Sequence, residues 1–235
     1  TIKVLWTTDQ QGFTDAEYKA WDACAKTIRS VSGTYDDYGI PNYDLHINTG
    51  DMSENANYIW EWLDYFNYCG DLCKRLPHMT TCGNNDLIDQ KYGYAFERYS
   101  TYEDQPMLND VHGVTATVDK PMVSTYSFDV GFIHFICINS NNEKMYSDYG
   151  VKQKEFLKKQ AYFLDKDMWE VSQRPTKPKW VIVYAHLSPF TVTRADRLQH
   201  WIPVIEHYGI DLFICGHNHN YSRSIPIKCG YNGSN

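Results

Sequence analysis

Short apolar runs that alternate with longer amphipathic stretches constrain the fold of this chain more than any other feature of its sequence. Seven runs are typical of buried strands: IKVLWTT, YDLHINT, PHMTTC, TYSFDV, FIHFICIN, KWVIVYA and DLFIC. Large apolar residues at spacings of three and four predict amphipathic helices over 14–31, 53–75, 151–170 and 195–208. The alternation predicts an α/β layered fold rather than a helical bundle or an all-β sandwich.

Local signals predict several boundaries between these elements. Asp15 and Ser53 stand where helix starts are expected. The stretch YSFDVGFIHFICIN predicts a hairpin that turns at Val130-Gly131. Residues 100–121 have little periodicity and predict a long surface excursion near a site.

Length and composition predict one soluble globular domain over residues 1–235, since 43% of the residues are hydrophobic and 22% are charged. We expect a fragment of a longer chain, because the sequence opens inside a predicted strand and ends in the turn-like KCGYNGSN. A net charge of -7 argues against general nucleic-acid binding. No apolar run approaches the roughly 20 residues of a membrane span, and no signal peptide is recognisable. Compartment and oligomeric state stay open.

The chain has seven cysteines, an odd number at irregular spacings. This pattern favours buried free thiols over a disulfide framework. Cys69 and Cys73 lie one helical turn apart, and the sequence near them offers no partners for a zinc site.

Polar clusters follow five of the predicted strands: TTDQQG, NTGDMSE, TCGNND, YAHLSP and CGHNHN. Ligand sites in open α/β sheets gather beyond the carboxyl ends of the strands, so these clusters can converge on one place. They contain the residue types that bind dications: Asp9, Asp51, Asn84, His186, His217 and His219. Glycines precede Asp51, Asn84 and His217, as expected where a chain turns sharply to aim a ligand inward.

Each cluster alone has an ordinary explanation, because Gly-Asp and Asn-Asn-Asp are common in turns and a strand-end histidine is often structural. Their joint occurrence at successive strand ends favours a metal site.

The order Asp, Gly-Asp, Gly-Asn-x-Asp, His and Gly-His-x-His resembles the calcineurin-like metallophosphoesterases. GHNHNYSRSIPI is similar to the purple acid phosphatase branch. The resemblance implies an αββα sandwich, with two central sheets flanked by helices. It also implies a phosphoester hydrolase with two divalent or mixed-valence ions of manganese, iron or zinc, acting on a small-molecule or polymeric phosphoester.

By the same resemblance, Asp51 bridges both metals. Asn84, His186 and His217 complete one metal site, and Asp9 and His219 serve the other. The catalytic residues are then expected among Asp51, Asn84, Asn85 and Asp86.

Gln11 and Glu54 depart from the family pattern. Gln11 stands where the family commonly has a histidine, and Glu54 stands where purple acid phosphatases have a tyrosine. Three alternatives stay open: Glu54 ligates through its carboxylate, Gln11 ligates through its amide oxygen, or Glu54 only opens the following helix.

Asn85 is a further departure, because most members have a histidine there that assists the leaving group. An amide donates a hydrogen bond but gives up no proton, so its presence tilts the expected substrate toward phosphodiesters. Tyr221 and Arg223 are expected to line the phosphate pocket or to pack against the strand that follows. The alternative function is a degenerate binding or scaffold module with little or no catalysis.

Overall fold

The computed structural model of the chain describes residues 1–11, 42–74, 76–88, 96, 125–141, 153–190 and 195–228. The predicted helix over 14–31, its predicted start at Asp15 and the predicted excursion over 100–121 lie outside these residues.

All seven predicted strands are confirmed, and they form two sheets. In the first sheet, β1, β2 and β3 run parallel. In the second sheet β4 is antiparallel to β5, whereas β5, β6 and β7 are parallel. The strands are β1 Val4–Thr7, β2 Leu45–Asn48, β3 His78–Thr80, β4 Tyr126–Val130, β5 Ile133–Cys137, β6 Trp180–Tyr184 and β7 Leu212–Ile214.

The predicted hairpin is also confirmed, because Val130 pairs with Ile133 across a two-residue turn. Gly131 stands in this turn at a φ of 59°. A residue without a Cβ adopts this left-handed conformation at little cost.

The described helices are α1 Ile59–Cys73, α2 Gln153–Gln173 and α3 Ala195–Tyr208. The prediction that Ser53 starts a helix is wrong, since α1 begins at Ile59. Ser53 instead donates from its backbone N–H and its hydroxyl to the buried Asp86, and this holds residues 51–58 out of the helix. Among these helices, none is both long and apolar enough to cross a membrane.

The two sheets pack face to face around one apolar layer. Leu45 and Ile47 of the first sheet meet Phe135 and Tyr184 of the second in this layer. Helices α2 and α3 cover the other face of the second sheet, where Ile136 and Val183 pack against Leu164 and Trp201. The outer face of the first sheet meets α1, whose Tyr65 hydroxyl lies 2.9 Å from His78 Nε2 of β3. This layering confirms the predicted αββα sandwich.

Five cysteines lie in the described part of the chain, and all five are free thiols. Cys69, Cys82 and Cys137 are buried, and Cys73 and Cys215 are half-buried. Cys24 and Cys229 lie outside the described residues.

An ion-pair triad centred on a buried histidine joins the hairpin to α2. His134 of β5 is fully buried, and its ring nitrogens lie 2.8 Å from Asp129 Oδ1 and 2.7 Å from Asp167 Oδ2. Burial lowers the pKa of His134, but the hydrogen bonds and charges of Asp167 and Asp129 outweigh it and raise the pKa above its ordinary value. Both ring nitrogens can donate to carboxylates only in the imidazolium form.

We expect His134→Gln to lower the free energy of unfolding by about 3 kcal/mol at pH 6, because it leaves the buried Asp167 without its cationic partner. The folded-state pKa is raised, so this stabilisation is fully present below the ordinary value of 6.5 and is lost as pH rises through the raised pKa. Urea denaturation from pH 6 to pH 9 measures the difference between the two proteins.

The matched control is Asp129→Asn, because the Asp129 side chain is 47% exposed and its amide counterpart still accepts from His134. This control should cost less than about 1 kcal/mol. Equal and pH-independent losses in both variants would contradict the triad.

Candidate metal centre

The loops that follow five strands meet at one end of the two sheets, as the sequence predicts. They bring two groups of side chains to within 4.8 Å, measured between their ligating atoms. One group is Asp51, His186 and His217, and the other is Asp9, Asp51 and His219. Asp51 belongs to both groups and therefore lies between them, where the resemblance predicts a bridging ligand.

His186 is oriented by the backbone of the second loop. Its Nδ1 lies 2.8 Å from the carbonyl oxygen of Thr49, which can only accept, so Nδ1 carries a proton. In the neutral ring the lone pair of Nε2 then faces Asn84 Oδ1 at 3.1 Å and Asp51 Oδ2 at 3.2 Å. Three lone pairs that converge without a proton form a site for a cation, and a carbonyl that accepts from the other ring nitrogen is a usual partner of a metal-bound histidine.

The electrostatics around His186 favour positive charge at Nε2. Burial lowers the pKa of His186, but its hydrogen bond to Asp51 and the charges of Asp51 and Asp9 outweigh it, and the pKa rises above its ordinary value. A metal ion must displace that proton in order to bind, so metal affinity should fall at low pH.

Gln11 contacts the second group of side chains directly, whereas Glu54 reaches it through Asn85. His219 Nε2 lies 3.5 Å from Asp9 Oδ1. The Gln11 amide makes compatible hydrogen bonds when its oxygen faces His219 Nε2 at 3.0 Å and its nitrogen donates to the Asp51 backbone carbonyl at 3.0 Å. Glu54 reaches the site through Asn85, whose Nδ2 donates to Glu54 Oε2 at 3.4 Å. The amide oxygen of Gln11 therefore lies directly beside His219, whereas the carboxylate of Glu54 lies beside Asn85.

Backbone conformation at the site is unusual. Among the described residues other than glycine, four have φ in the left-handed region: Asp9 at 54°, Asp51 at 53°, His217 at 75° and His219 at 50°. All four are predicted metal ligands. Because such conformations are sparsely populated and cluster at functional sites, the strain supports a role for these side chains.

Hydrogen bonds between the loops hold these conformations. The Asp9 N–H donates to the Gly50 carbonyl at 2.9 Å, and the His217 N–H donates to Asp9 Oδ2 at 2.8 Å. The first, second and last ligand loops are thereby tied to one another.

Two glycines permit this close approach. A Cβ at Gly83 would overlap the backbone and carboxylate of Asp51, and a Cβ at Gly216 would overlap Thr8 and the Asp9 carboxylate. The sequence predicts that these glycines let the chain turn so that a ligand points inward. At Gly83 and Gly216 the requirement is instead space for the side chain of a neighbouring ligand.

Asp86 lies behind the site and connects two of its loops. Its buried carboxylate accepts from the backbone N–H groups of Met52 at 2.8 Å, Ser53 at 2.9 Å and Gly83 at 2.8 Å. Burial and the charge of Asp51 raise the pKa of Asp86 to about 7, against the lowering effect of these hydrogen bonds. These contacts make Asp86, grouped by the sequence with the catalytic residues, a positioning residue.

Asn85 borders the bridging ligand. Its backbone N–H donates to Asp51 Oδ1 at 2.8 Å, and its Oδ1 accepts from Asn84 Nδ2 at 3.0 Å. Tyr221 and Arg223 are exposed on the segment after β7, with Tyr221 at 83% exposure, and their place at the phosphate pocket stays a prediction. Sequence reasoning missed Thr49, because the group that orients His186 is a main-chain carbonyl and leaves no side-chain signal.

Comparison with known families and proteins agrees with this geometry. The sequence matches the calcineurin-like phosphoesterase family over residues 2–221. It is 25% identical over 181 residues to an uncharacterized protein of Mycobacterium tuberculosis, covering 72% of this chain and 32% of that protein. It is also 25% identical over 232 residues to the probable inactive purple acid phosphatase 9 of Arabidopsis thaliana, covering 86% and 33%. The chain thus spans about a third of the length of these curated relatives.

Two solved structures share the fold. A purple acid phosphatase from yellow lupin (Lupinus luteus) seeds superposes with a TM-score of 0.57 at 18% identity, covering 97% of this chain and 39% of that one. GAP50, the anchor in the inner membrane complex of Plasmodium, gives 0.50 at 13% identity, covering 92% and 65%. The purple acid phosphatase relatives support the branch that the last motif indicates.

We expect Gly83→Ala to abolish most metal binding, because the added methyl group displaces the Asp51 carboxylate from the bridging position. The matched control is Gly209→Ala at the end of α3, where φ is 63° and a Cβ meets no atom within 4 Å. This control should lose about 1 kcal/mol of stability and keep its metal. Elemental analysis of both folded variants measures the difference, and full metal content in Gly83→Ala would contradict the geometry.

Proposed function

The chain belongs to the calcineurin-like phosphoesterase family, and we propose on this basis that it is a metal-dependent phosphoester hydrolase. The observation that carries the proposal is the convergence of His186 Nε2 and Asn84 Oδ1 on the Asp51 carboxylate. Buried acceptors left without a cation would be costly, so the arrangement supports a metal-binding role.

The donor set fits two metal ions. Asn84, His186 and His217 would hold one ion and Asp9, His219 and Gln11 would hold the other, with Asp51 shared between the two groups. Carboxylate, amide and imidazole donors suit manganese, zinc or iron, whereas the described site offers no thiolate. When bound, such a pair of ions supplies a polarised phosphate oxygen and a water of lowered pKa for in-line attack on phosphorus.

The protein's own residues orient this chemistry. The Thr49 carbonyl fixes the His186 tautomer, and Asp86 fixes the loops that carry Asp51 and Asn84. The Asn85 side chain, beside Asp51 Oδ2 at 3.4 Å, donates a hydrogen bond to a phosphate oxygen. Its amide cannot protonate a leaving group, so the leaving group must depart without help from this position.

The charges at the site favour a phosphodiester, either a small molecule or a polymer, over a monoester. A monoester brings two negative charges and a diester brings one. Asn85 adds no positive charge where most members carry histidine, and the carboxylate of Glu54 lies 3.4 Å from Asn85 Nδ2. Both features disfavour the dianion more than the monoanion.

We expect the manganese-loaded chain to hydrolyse an aryl phosphodiester in preference to the corresponding aryl monoester. Asn85→His should shift the ratio of kcat/KM values toward the monoester by about tenfold or more, because the imidazole adds a cationic acid beside the phosphate. The matched control is Asn57→His on an exposed loop position, which should leave the ratio unchanged. A strong monoester preference in the unaltered chain would contradict the substrate proposal.

A binding or scaffold module is the second candidate function. It is favoured by Gln11, which is a weak ligand in place of histidine, and by the similarity to a relative named as probably inactive. GAP50, the anchor in the inner membrane complex of Plasmodium, has the same fold. The two candidates differ in how firmly the metals are held.

Manganese content separates the two candidates, because manganese prefers oxygen and nitrogen donors and reports on this centre alone. We expect about two manganese ions per chain after supplementation and fewer than about one in Asp51→Asn. Fewer than about one ion per chain in the unaltered protein would favour the scaffold function. Inductively coupled plasma mass spectrometry makes the measurement.

A further inference from the structure

A second cluster of metal-binding side chains lies under α1, on the outer face of the first sheet. His46 of β2 and His78 of β3 are register partners on adjacent parallel strands. Cys73, the last residue of α1, reaches the same place, and the three ligating atoms lie within 4.8 Å of one another. The cluster shares no residue with the ligand loops beyond the carboxyl ends of the strands.

The two imidazoles point the same ring nitrogen at each other. His46 Nδ1 lies 3.0 Å from His78 Nδ1. The opposite nitrogens contact hydroxyl groups, His46 Nε2 with Thr7 Oγ1 at 2.8 Å and His78 Nε2 with Tyr65 Oη at 2.9 Å. Each hydroxyl can accept an Nε2–H, and this tautomer leaves both Nδ1 lone pairs directed inward.

The two hydroxyl contacts are those expected around metal-bound histidines. Metal-bound histidines donate their other ring N–H to a fixed acceptor, which sets the tautomer and the ring orientation. Tyr65 is fixed by Asn48, whose Nδ2 donates to its hydroxyl at 3.1 Å. Two inward nitrogens and the Cys73 sulfur then form one face of a tetrahedron.

We propose that His46, His78 and Cys73 bind a single zinc ion, in a site separate from the dinuclear centre. Imidazole and thiolate donors together select zinc over manganese or magnesium. The buried Cys69 lies one helical turn earlier on the same face of α1, where it can supply a fourth ligand. The ion joins the end of α1 to β2 and β3 and so stabilises the segment that follows the Asp51 loop.

Cobalt substitution tests the site, because only a cysteine-bound cobalt ion gives thiolate-to-cobalt charge-transfer absorption in the near ultraviolet. The ligands assigned to the dinuclear centre carry oxygen and nitrogen alone, so that centre is silent in this band. We expect the reduced full chain to develop the band with about one equivalent of Co²⁺ and to lose it when Zn²⁺ is added. The band should persist in Asp51→Asn, which makes the result independent of the proposed hydrolase function.

Cys73→Ser should strongly weaken the band and lower the zinc content by about one ion per chain, and Cys69→Ser combined with Cys73→Ser should abolish the band. The matched control is Cys137→Ala, which removes a buried thiol from the layer between the sheets and should leave both readouts unchanged. Circular dichroism establishes that each variant is folded, and His78→Gln provides a second ligand variant. A folded reduced chain without the band, or equal zinc content in Cys73→Ser, would overturn the proposal.

Discussion

The close approach of the Gly50-Asp51 and Gly83-Asn84 segments is the constraint on which the rest of the site depends. Asp51 can serve two ligand groups only if its carboxylate lies against the main chain of Gly83, where a side chain would not fit. Asp86 closes this arrangement from behind by accepting from both segments. The position of Asp51 between the two ligand groups is therefore set by main-chain packing.

The same close approach concentrates negative charge. Asp9, Asp51 and Asp86 converge at one end of the sheets, and the pKa of Asp86 rises to about 7 because burial and Asp51 oppose its ionisation. The protein balances the buried Asp167 carboxylate elsewhere with a protonated histidine, since His134 lies between Asp167 and the half-exposed Asp129. At the ligand loops the balancing charge is better supplied by metal ions, since His186 offers them an oriented lone pair.

Much of this could be predicted from the sequence, because strand periodicity and strand-end polarity are local patterns. The seven strands, the αββα layers and the convergence of Asp9, Asp51 and His217 follow from them. The start of α1 could not be predicted, because Asp86, 33 residues further along the chain, accepts from Ser53 and keeps it out of the helix. The exposure of Tyr221 depends on where the chain leaves β7, which no local signal gives. The proximity of His46 and His78 to Cys73 could not be predicted, because the parallel register of β2 and β3 is what brings the two histidines together.

Strand β2 connects the three regions of this protein through its alternation. Leu45 and Ile47 face the layer between the sheets, whereas His46 and Asn48 face α1, and the chain then turns directly into Asp51. A slip of one residue along β2 would bury the imidazole and amide in the apolar layer and place the aliphatic side chains among the polar groups beneath α1. It would also withdraw the bridging carboxylate and dismantle the cluster beneath α1. The four residues of β2 therefore determine the positions of the apolar layer, the cluster beneath α1 and the Asp51 loop at once. We expect insertions in β2 to be tolerated less than anywhere else in the first sheet.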